Sequence, residues 1–484
     1  MNAAKNFYDH IVVGAGTAGC LIAGALAARR HRVLLIEAGP HPKHLVNERL
    51  SEWSDWFGSS LDYSYPTSSR ALPDGVVWNR GRVVGGSGVL NGMLYLRGCD
   101  ADYRNWATLT RDNTWMPASV HAVFDSLEHR SQLAPPERKV SVQSQDPLTE
   151  WSISFYESCR KYGIPPGSAD PTIMRGVCYY KISAFRHRRS STYASHLMPA
   201  LAFENLHLLA STVVERIIFS GKRAIGVTAK GPAGDKQFHA TRDIILCGGA
   251  IETPRLLLKS GIGPRPQLDE LGLSCVIDNR NVGRHLADHP RVAIRLPTTR
   301  EVGLFLDVLE QTTADTAPEV QCFVLPPTPS ANGPPECAFS FILTHPHSTG
   351  SIQLRTTRED VSIDSGYLTA EGDLAAFTAA LKQLHDLLRK CASSLSLISE
   401  WQSKMPNEDS AAHFIRSRLQ TAWHHSCSAR MAISGEQGVV DRDYRVFGSE
   451  CLRIGDTSAF PDIPTGNTNA PAIMFAQRLA NILG

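Results

Sequence analysis

Three glycines and one acid near the start of the chain have the spacing of a phosphate-binding device. Gly14-x-Gly16-x-x-Gly19 follows the apolar segment His10 to Val13, and Glu37 closes a second apolar segment, Val33 to Ile36. Gly14 permits a tight turn, Gly16 lets backbone approach a pyrophosphate, and Gly19 lets helix and strand pack closely. The helix that starts there offers free N–H groups to phosphate oxygens. A carboxylate about 20 residues further on can accept ribose hydroxyls. Strand, glycine turn, helix, strand and acid together predict a dinucleotide site.

A second glycine-rich segment runs from Gly81 to Asn91 and contains Gly85, Gly86 and Gly88. Taken alone it reads as a flexible loop. Beside the first motif it reads as a second wall of one cofactor site, where bare backbone lies against a flat or phosphorylated ligand.

These residues need a parallel sheet behind them. Leu206 to Ala210, Asp243 to Cys247 and Leu452 to Ile454 read as further short buried strands. A helix is expected after the second of these, near Glu252-Thr253-Pro254, with proline in its first turn. Parallel strands require such crossovers. The cofactor domain is therefore expected to be discontinuous, with residues 1–105, 205–295 and 420–484. The intervening residues 106–204 and 296–419 are expected to form a substrate domain. There Gly350 to Arg355 alternates like a strand, and Leu374 to Ser393 carries apolar residues at helical spacing for a core-facing helix. LPPTPSANGPP, from Leu325 to Pro335, reads as a mobile surface loop. The fold class predicted is α/β: a Rossmann-like domain with an antiparallel-sheet α+β substrate domain.

Composition narrows the function classes. The chain has 484 residues, 42% of them apolar and 20% charged, with a formal net charge of +2. It is long enough for two or three domains. No long basic run implies a nucleic-acid partner, and Arg186 to Arg189 reads as a solvated patch. The uncharged run Ile11 to Ala28 is interrupted by glycines and leads straight into another strand, which argues against a membrane span. The 11 cysteines show no CxxC pair and no zinc-like spacing. Without an evident export signal they read as reduced thiols in a cytoplasmic protein.

The second glycine segment, with Tyr95 and Gly98 downstream, resembles the first signature of the glucose–methanol–choline (GMC) oxidoreductases. Gly249-Ala250-x-x-Thr253-Pro254-x-Leu256-Leu257-x-x-Ser260-Gly261-Ile262-Gly263 is similar to that family's second signature. Val282-Gly283-x-x-Leu286-x-Asp288-His289 and Gly466-Asn467-Thr468-Asn469-Ala470-Pro471 resemble later landmarks in the expected order. The resemblance implies an FAD-binding fold with a substrate domain. It places Gly14, Gly16, Thr17, Ala18, Glu37 and Ala38 along the ADP half of FAD, and Val214 beside adenine. It places Arg82, Gly86, Ser87 and Asn91 at pyrophosphate, ribitol or flavin, Asp456 near ribitol or pyrophosphate, and Asn467, Thr468 and Asn469 beside the flavin ring. Where some members attach FAD through a histidine, this chain has Leu90, so FAD is expected to be non-covalent.

Aligned on Arg430-Met431, His424 falls on the family's active-site histidine and Asn467 on its partner. Histidine suits a base near neutrality. Asparagine can donate to the substrate oxygen while a hydride passes to flavin N5. His425, adjacent, differs from His424 only in register. The chain departs from the family pattern at Gly88, Arg104, His285, His425 and Cys427, which suggests a reshaped loop beside the flavin. The implied activity is oxidation of a small-molecule alcohol to aldehyde or ketone, with oxygen or another electron acceptor, and a specialised biosynthetic substrate fits as readily as a catabolic one. The alternative is an FAD-containing lyase or decarboxylase of the same fold. A non-catalytic flavoprotein and a nicotinamide dehydrogenase are weaker readings. Tyr63 to Tyr65, Phe323 and Trp401 are candidate pocket residues.

Overall fold

The computed structural model describes residues 6–41, 55–72, 74–131, 138–144, 150–167, 176–186, 188–297, 306–310, 319–330, 333–355, 361–392, 397 and 406–484. Trp401 lies outside them. The strands His10–Val13, Val33–Ile36, Leu206–Leu209, Ile244–Leu246 and Leu452–Ile454 form one five-stranded parallel sheet. Its order is Leu206–Leu209, Val33–Ile36, His10–Val13, Ile244–Leu246, Leu452–Ile454. The three central strands are buried at every position, which is why they read as unbroken apolar runs and not as alternation. Helix Thr17–Ala28 follows the first glycine turn and packs on helix Asn469–Ile482, near the other end of the sequence. Burying a leucine or isoleucine contributes about 1.5–3 kcal/mol, and Leu21, Ile22, Leu26, Ile473 and Leu479 are all buried where these helices and the sheet meet.

A six-stranded antiparallel sheet forms the second layer. Its order is Gly176–Tyr179, Leu306–Glu310, Val320–Ser330, Gly333–Leu343, Pro290–Pro297 and Leu419–Thr421. Helix Glu371–Cys391 covers it, with Phe377, Leu381, Leu384 and Leu388 turned into the core as the helical spacing predicts.

Three expectations change. Most of LPPTPSANGPP is strand: Leu325 to Ser330 and Gly333 to Pro335 are the ends of two long paired strands, and Ala331 and Asn332 lie outside the described residues. Leu325, Thr328 and Ser330 pair across the ladder, while Pro326, Pro327 and Pro329 fall at its register shifts, where a missing N–H breaks no bond. The helix expected at Glu252 begins earlier, at Gly249, and Pro254 sits inside it. Pro254 cannot donate to the Ala250 carbonyl, and the Ser428 hydroxyl donates there instead. In the basic run, Arg189 is not solvated but 9% exposed, and it donates to Asn91.

Among the described residues no helix is long and apolar enough to cross a membrane. Nor does any group of three or more His, Cys, Asp or Glu there form a metal site. Among the described residues ten cysteines are free thiols, and Cys427 is buried with its thiol pushed up in pKa.

Candidate active site

The two glycine segments meet. Gly86 has φ +55°, and a Cβ there would stand 2.7 Å from the Gly16 Cα; a Cβ on Gly88 would stand 2.4 Å from the Thr17 hydroxyl. One long cleft runs between these walls. Gly14 (φ +97°) turns the chain tightly beneath it, because a Cβ would strike the Cys247 carbonyl at 2.4 Å. Gly16, Thr17 and Ala18 line the cleft at the start of helix Thr17–Ala28, where its first N–H groups are free of intrahelical bonds.

At one end lie Glu37, Ala38 and Val214. Glu37 is buried, and its two oxygens accept the N–H groups of Ala15 (2.9 Å) and Gly39 (2.8 Å). Burial nevertheless pushes its pKa up to about 7. Each oxygen keeps a lone pair for a hydroxyl. Arg82 does not line the cleft. Its guanidinium lies 5.9 Å from the Tyr63 ring centroid, and its charge favours ionised Glu37. Arg80, two residues earlier, faces the cleft instead.

The middle is framed by Gly86, Ser87, Asn91, Asp456, Thr468 and Asn469. Ser87 Oγ accepts the Gly81 N–H at 3.0 Å, tying the second glycine segment to itself. Asp456 is buried and accepts Gly249 N, Thr253 Oγ1 and Ser458 N, which braces the turn of the second signature. Thr17 donates to Asn469 at 3.0 Å and so joins the N-terminal motif to the C-terminal one. Asn91 Oδ1 accepts Met93 N and an Arg189 N–H. Arg189 was not marked by sequence spacing; only its buried position reveals it.

His424 and Asn467 close the other end. His424 Nε2 is 3.1 Å from Asn467 Nδ2, so the amide donates and Nε2 carries a lone pair. Nδ1 lies 2.9 Å from Nδ1 of His289. The His424 N–H donates to Asp288 Oδ1 at 2.7 Å, and Tyr367 and Thr421 both donate to Oδ2. Burial first, then the charges of Arg80 and Arg291, hold His424 down to about 3. It is therefore an unprotonated imidazole at neutral pH. His425 also borders the cleft, but its ring sits on Trp78 with centroids 3.9 Å apart, and its Nε2 faces Thr421 and Asp288. Tyr63, Tyr65 and Phe323 are lining residues as expected. Cys427 is not.

Comparison with known proteins decides the family. GMC oxidoreductase family models match residues 8–291 and 346–476. The chain belongs to the GMC oxidoreductases. An uncharacterized GMC-type oxidoreductase of Rhodococcus erythropolis is 31% identical, with 99% of this chain and 98% of that protein covered. Human mitochondrial choline dehydrogenase is 30% identical, with 99% and 90% covered. Among solved structures, pyridoxine 4-oxidase has a TM-score of 0.89 at 26% identity, with 98% of both chains covered.

As in other GMC oxidoreductases the cofactor is FAD. The residues fit it: a glycine-walled cleft that added Cβ atoms would fill, a helix N-terminus for phosphate and a buried carboxylate for ribose. The side chain of Asn467 has a buried Oδ1 with no partner among the described residues, and it borders the cleft.

Proposed function

We propose that this oxidoreductase oxidises an alcohol to an aldehyde or ketone, with His424 as base and Asn467 as its partner. The observation that carries the reading is the 3.1 Å contact between Nε2 of an unprotonated His424 and the N–H of Asn467. An alcohol oxygen needs these two functions. The imidazole lone pair takes its proton, and the amide N–H donates to the oxygen that is left. FAD, when bound, supplies the hydride acceptor. His289 holds the proton balance on the far side of the ring, since a proton on His424 Nδ1 can donate to His289 Nδ1.

The cofactor roles divide along the cleft as the family resemblance implies, from Glu37, Ala38 and Val214 at adenosine to Asn467, Thr468 and Asn469 at the flavin. Arg82 acts there through Glu37 and Tyr63, not by contact with the cofactor. Leu90 is a buried aliphatic side chain in the cleft wall, which supports non-covalent FAD. Residues 1–105, 205–295 and 420–484 carry the cofactor side and residues 106–204 and 296–419 the substrate side, with strand Pro290–Pro297 crossing into the antiparallel sheet of the substrate side. Oxygen or another carrier takes the electrons onward.

The test is an anaerobic absorption spectrum of the purified flavoprotein titrated with primary, secondary and aryl alcohols. Bleaching of the flavin band by one class is expected. Recovery on admitting air makes the protein an oxidase, and lack of recovery makes it a dehydrogenase. No bleaching across the whole panel would overturn the proposal.

A further inference from the structure

The substrate end of the cleft carries more positive charge than its surroundings balance. Arg80 and Arg291 both line it. Arg291 stands on strand Pro290–Pro297 and is 6% exposed. Its guanidinium lies 4.7 Å from the Trp423 ring centroid, and Nη2 donates to the neutral Gln420 Oε1. Its Nε has no hydrogen-bond partner among the described residues. Arg80 Nη1 donates to a carbonyl, that of Trp423. The hydrogen-bond partners of both guanidinium groups among the described residues are neutral oxygens, and Asp62 acts on the Arg80 guanidinium only through its charge. Asp288 is the acid whose charge both feel, yet its oxygens already accept Tyr367, Thr421 and His424 N.

A buried charge is costly unless paired, and guanidinium is suited to carboxylate and phosphate. The free Nε and the hydrogen-bonded Nη2 leave Arg291 able to meet an anion edge-on. Phe323 and Trp423 also line the cleft and supply flat apolar surface there.

We infer that the alcohol oxidised here carries an anionic oxygen group, a carboxylate or a phosphate monoester, that Arg291 binds. The inference rests on the alcohol-oxidation reading above and names its substrate class. A cationic alcohol is disfavoured, because its charge would meet Arg80 and Arg291 in a site of low dielectric.

The experiment uses the FAD-loaded protein and two readouts. Anaerobic flavin reduction is measured with 4-(hydroxymethyl)benzoate, its neutral amide 4-(hydroxymethyl)benzamide, and choline. Equilibrium binding of the non-oxidisable probes benzoate, phenyl phosphate and benzamide is followed by perturbation of the oxidised flavin spectrum. The anionic alcohol is expected to reduce the flavin about 100-fold more efficiently than the amide does, equivalent to roughly 2.8 kcal/mol at 1.4 kcal/mol per decade. Arg291→Gln brings that ratio toward one, and Arg291→Lys restores part of it. Tighter benzoate assigns a carboxylate substrate, and tighter phenyl phosphate a phosphorylated one. If no alcohol reduces the flavin but the anions bind in an Arg291-dependent way, alcohol oxidation falls and the anion site stands. Equal handling of anion and amide in both readouts, or a preference for choline, overturns the inference.

Discussion

Asp288 Oδ1 accepts the backbone N–H of His424 at 2.7 Å, so one buried carboxylate fixes where the candidate base begins. Its other oxygen accepts Thr421 Oγ1 at 2.7 Å, and Thr421 Oγ1 in turn accepts the Trp423 N–H at 2.7 Å. Trp423 itself has φ +62°, a turn that a non-glycine residue holds only when neighbours secure it. Asp288→Asn presents one acceptor and one N–H₂ donor to three donors. Leaving a buried donor unmet costs about 1–3 kcal/mol. The expected result is a lower melting temperature together with flavin reduction slowed more than about 10-fold, with substrate affinity less affected. Wild-type kinetics in a stably folded Asp288→Asn protein would remove Asp288 from its positioning role.

His424 and His425 can be separated by paired substitutions. General-base loss typically costs about 10²–10⁴ in rate, and His424→Ala is expected in that range for flavin reduction by an alcohol. Asn467→Ala removes the adjacent donor and is expected to cost about 10²-fold, as for loss of one oxyanion donor. His425→Phe keeps a ring on Trp78 and is expected to lose less than about 10-fold, by the same scale. Stopped-flow absorbance at the flavin band reads all three. A larger loss in His425→Phe than in His424→Ala would exchange their roles.

The meeting of the two glycine walls makes a cofactor prediction. At Gly86 a methyl group faces the Gly16 backbone at 2.7 Å, and φ +55° disfavours any L side chain. The obstacle is backbone, not a side chain that can rotate away. Gly86→Ala is expected to copurify with little FAD and to gain less thermal stabilisation from added FAD than the wild type. Stabilisation by a ligand follows its concentration relative to Kd, so a melting series against FAD concentration measures the loss. An unchanged series would mean the walls part without penalty.

Much of the fold was legible because its signals are local. His10–Val13 and Val33–Ile36 are apolar at every position, and the turn between strand and helix demands glycine at Gly14. Register against Arg430-Met431 singled out His424, which lines the cleft beside Asn467. Arg291 was not, because Pro290-Arg291-Val292 reads as ordinary strand and only the antiparallel sheet carries it into the cleft. Arg189 was hidden for the same reason: a basic run gives no sign of which member turns inward. The family resemblance singled out Arg82, whose guanidinium lies over the Tyr63 ring, and gave no sign of Arg80, which lines the cleft. The prolines of LPPTPSANGPP signalled a break in structure, whereas the paired strands absorb them at irregular positions.

The acid side of the pH profile should report Asp288 before His424. Burial raises Asp288 to about 6, against its three hydrogen bonds and the charge of Arg80. Burial, Arg80 and Arg291 hold His424 down to about 3, so the base itself stays unprotonated through that range. Protonating Asp288 adds a donor where three donors already converge and loosens the His424 loop. Activity that needs ionised Asp288 is full well above pH 6 and falls as pH drops through that value. Asp288→Asn has no such group and is expected to show a lower but flat rate across the same window. Arg291→Gln removes a positive charge that favours ionised Asp288 and opposes protonated His424. Both pKa values then rise, and the acid limb is expected to move toward neutrality. Flavin-reduction rates from about pH 5 to 8 for the three proteins measure this against the ordinary histidine value near 6.5. A limb that persists unchanged in Asp288→Asn would assign it to another group, and a downward shift in Arg291→Gln would contradict the charge argument.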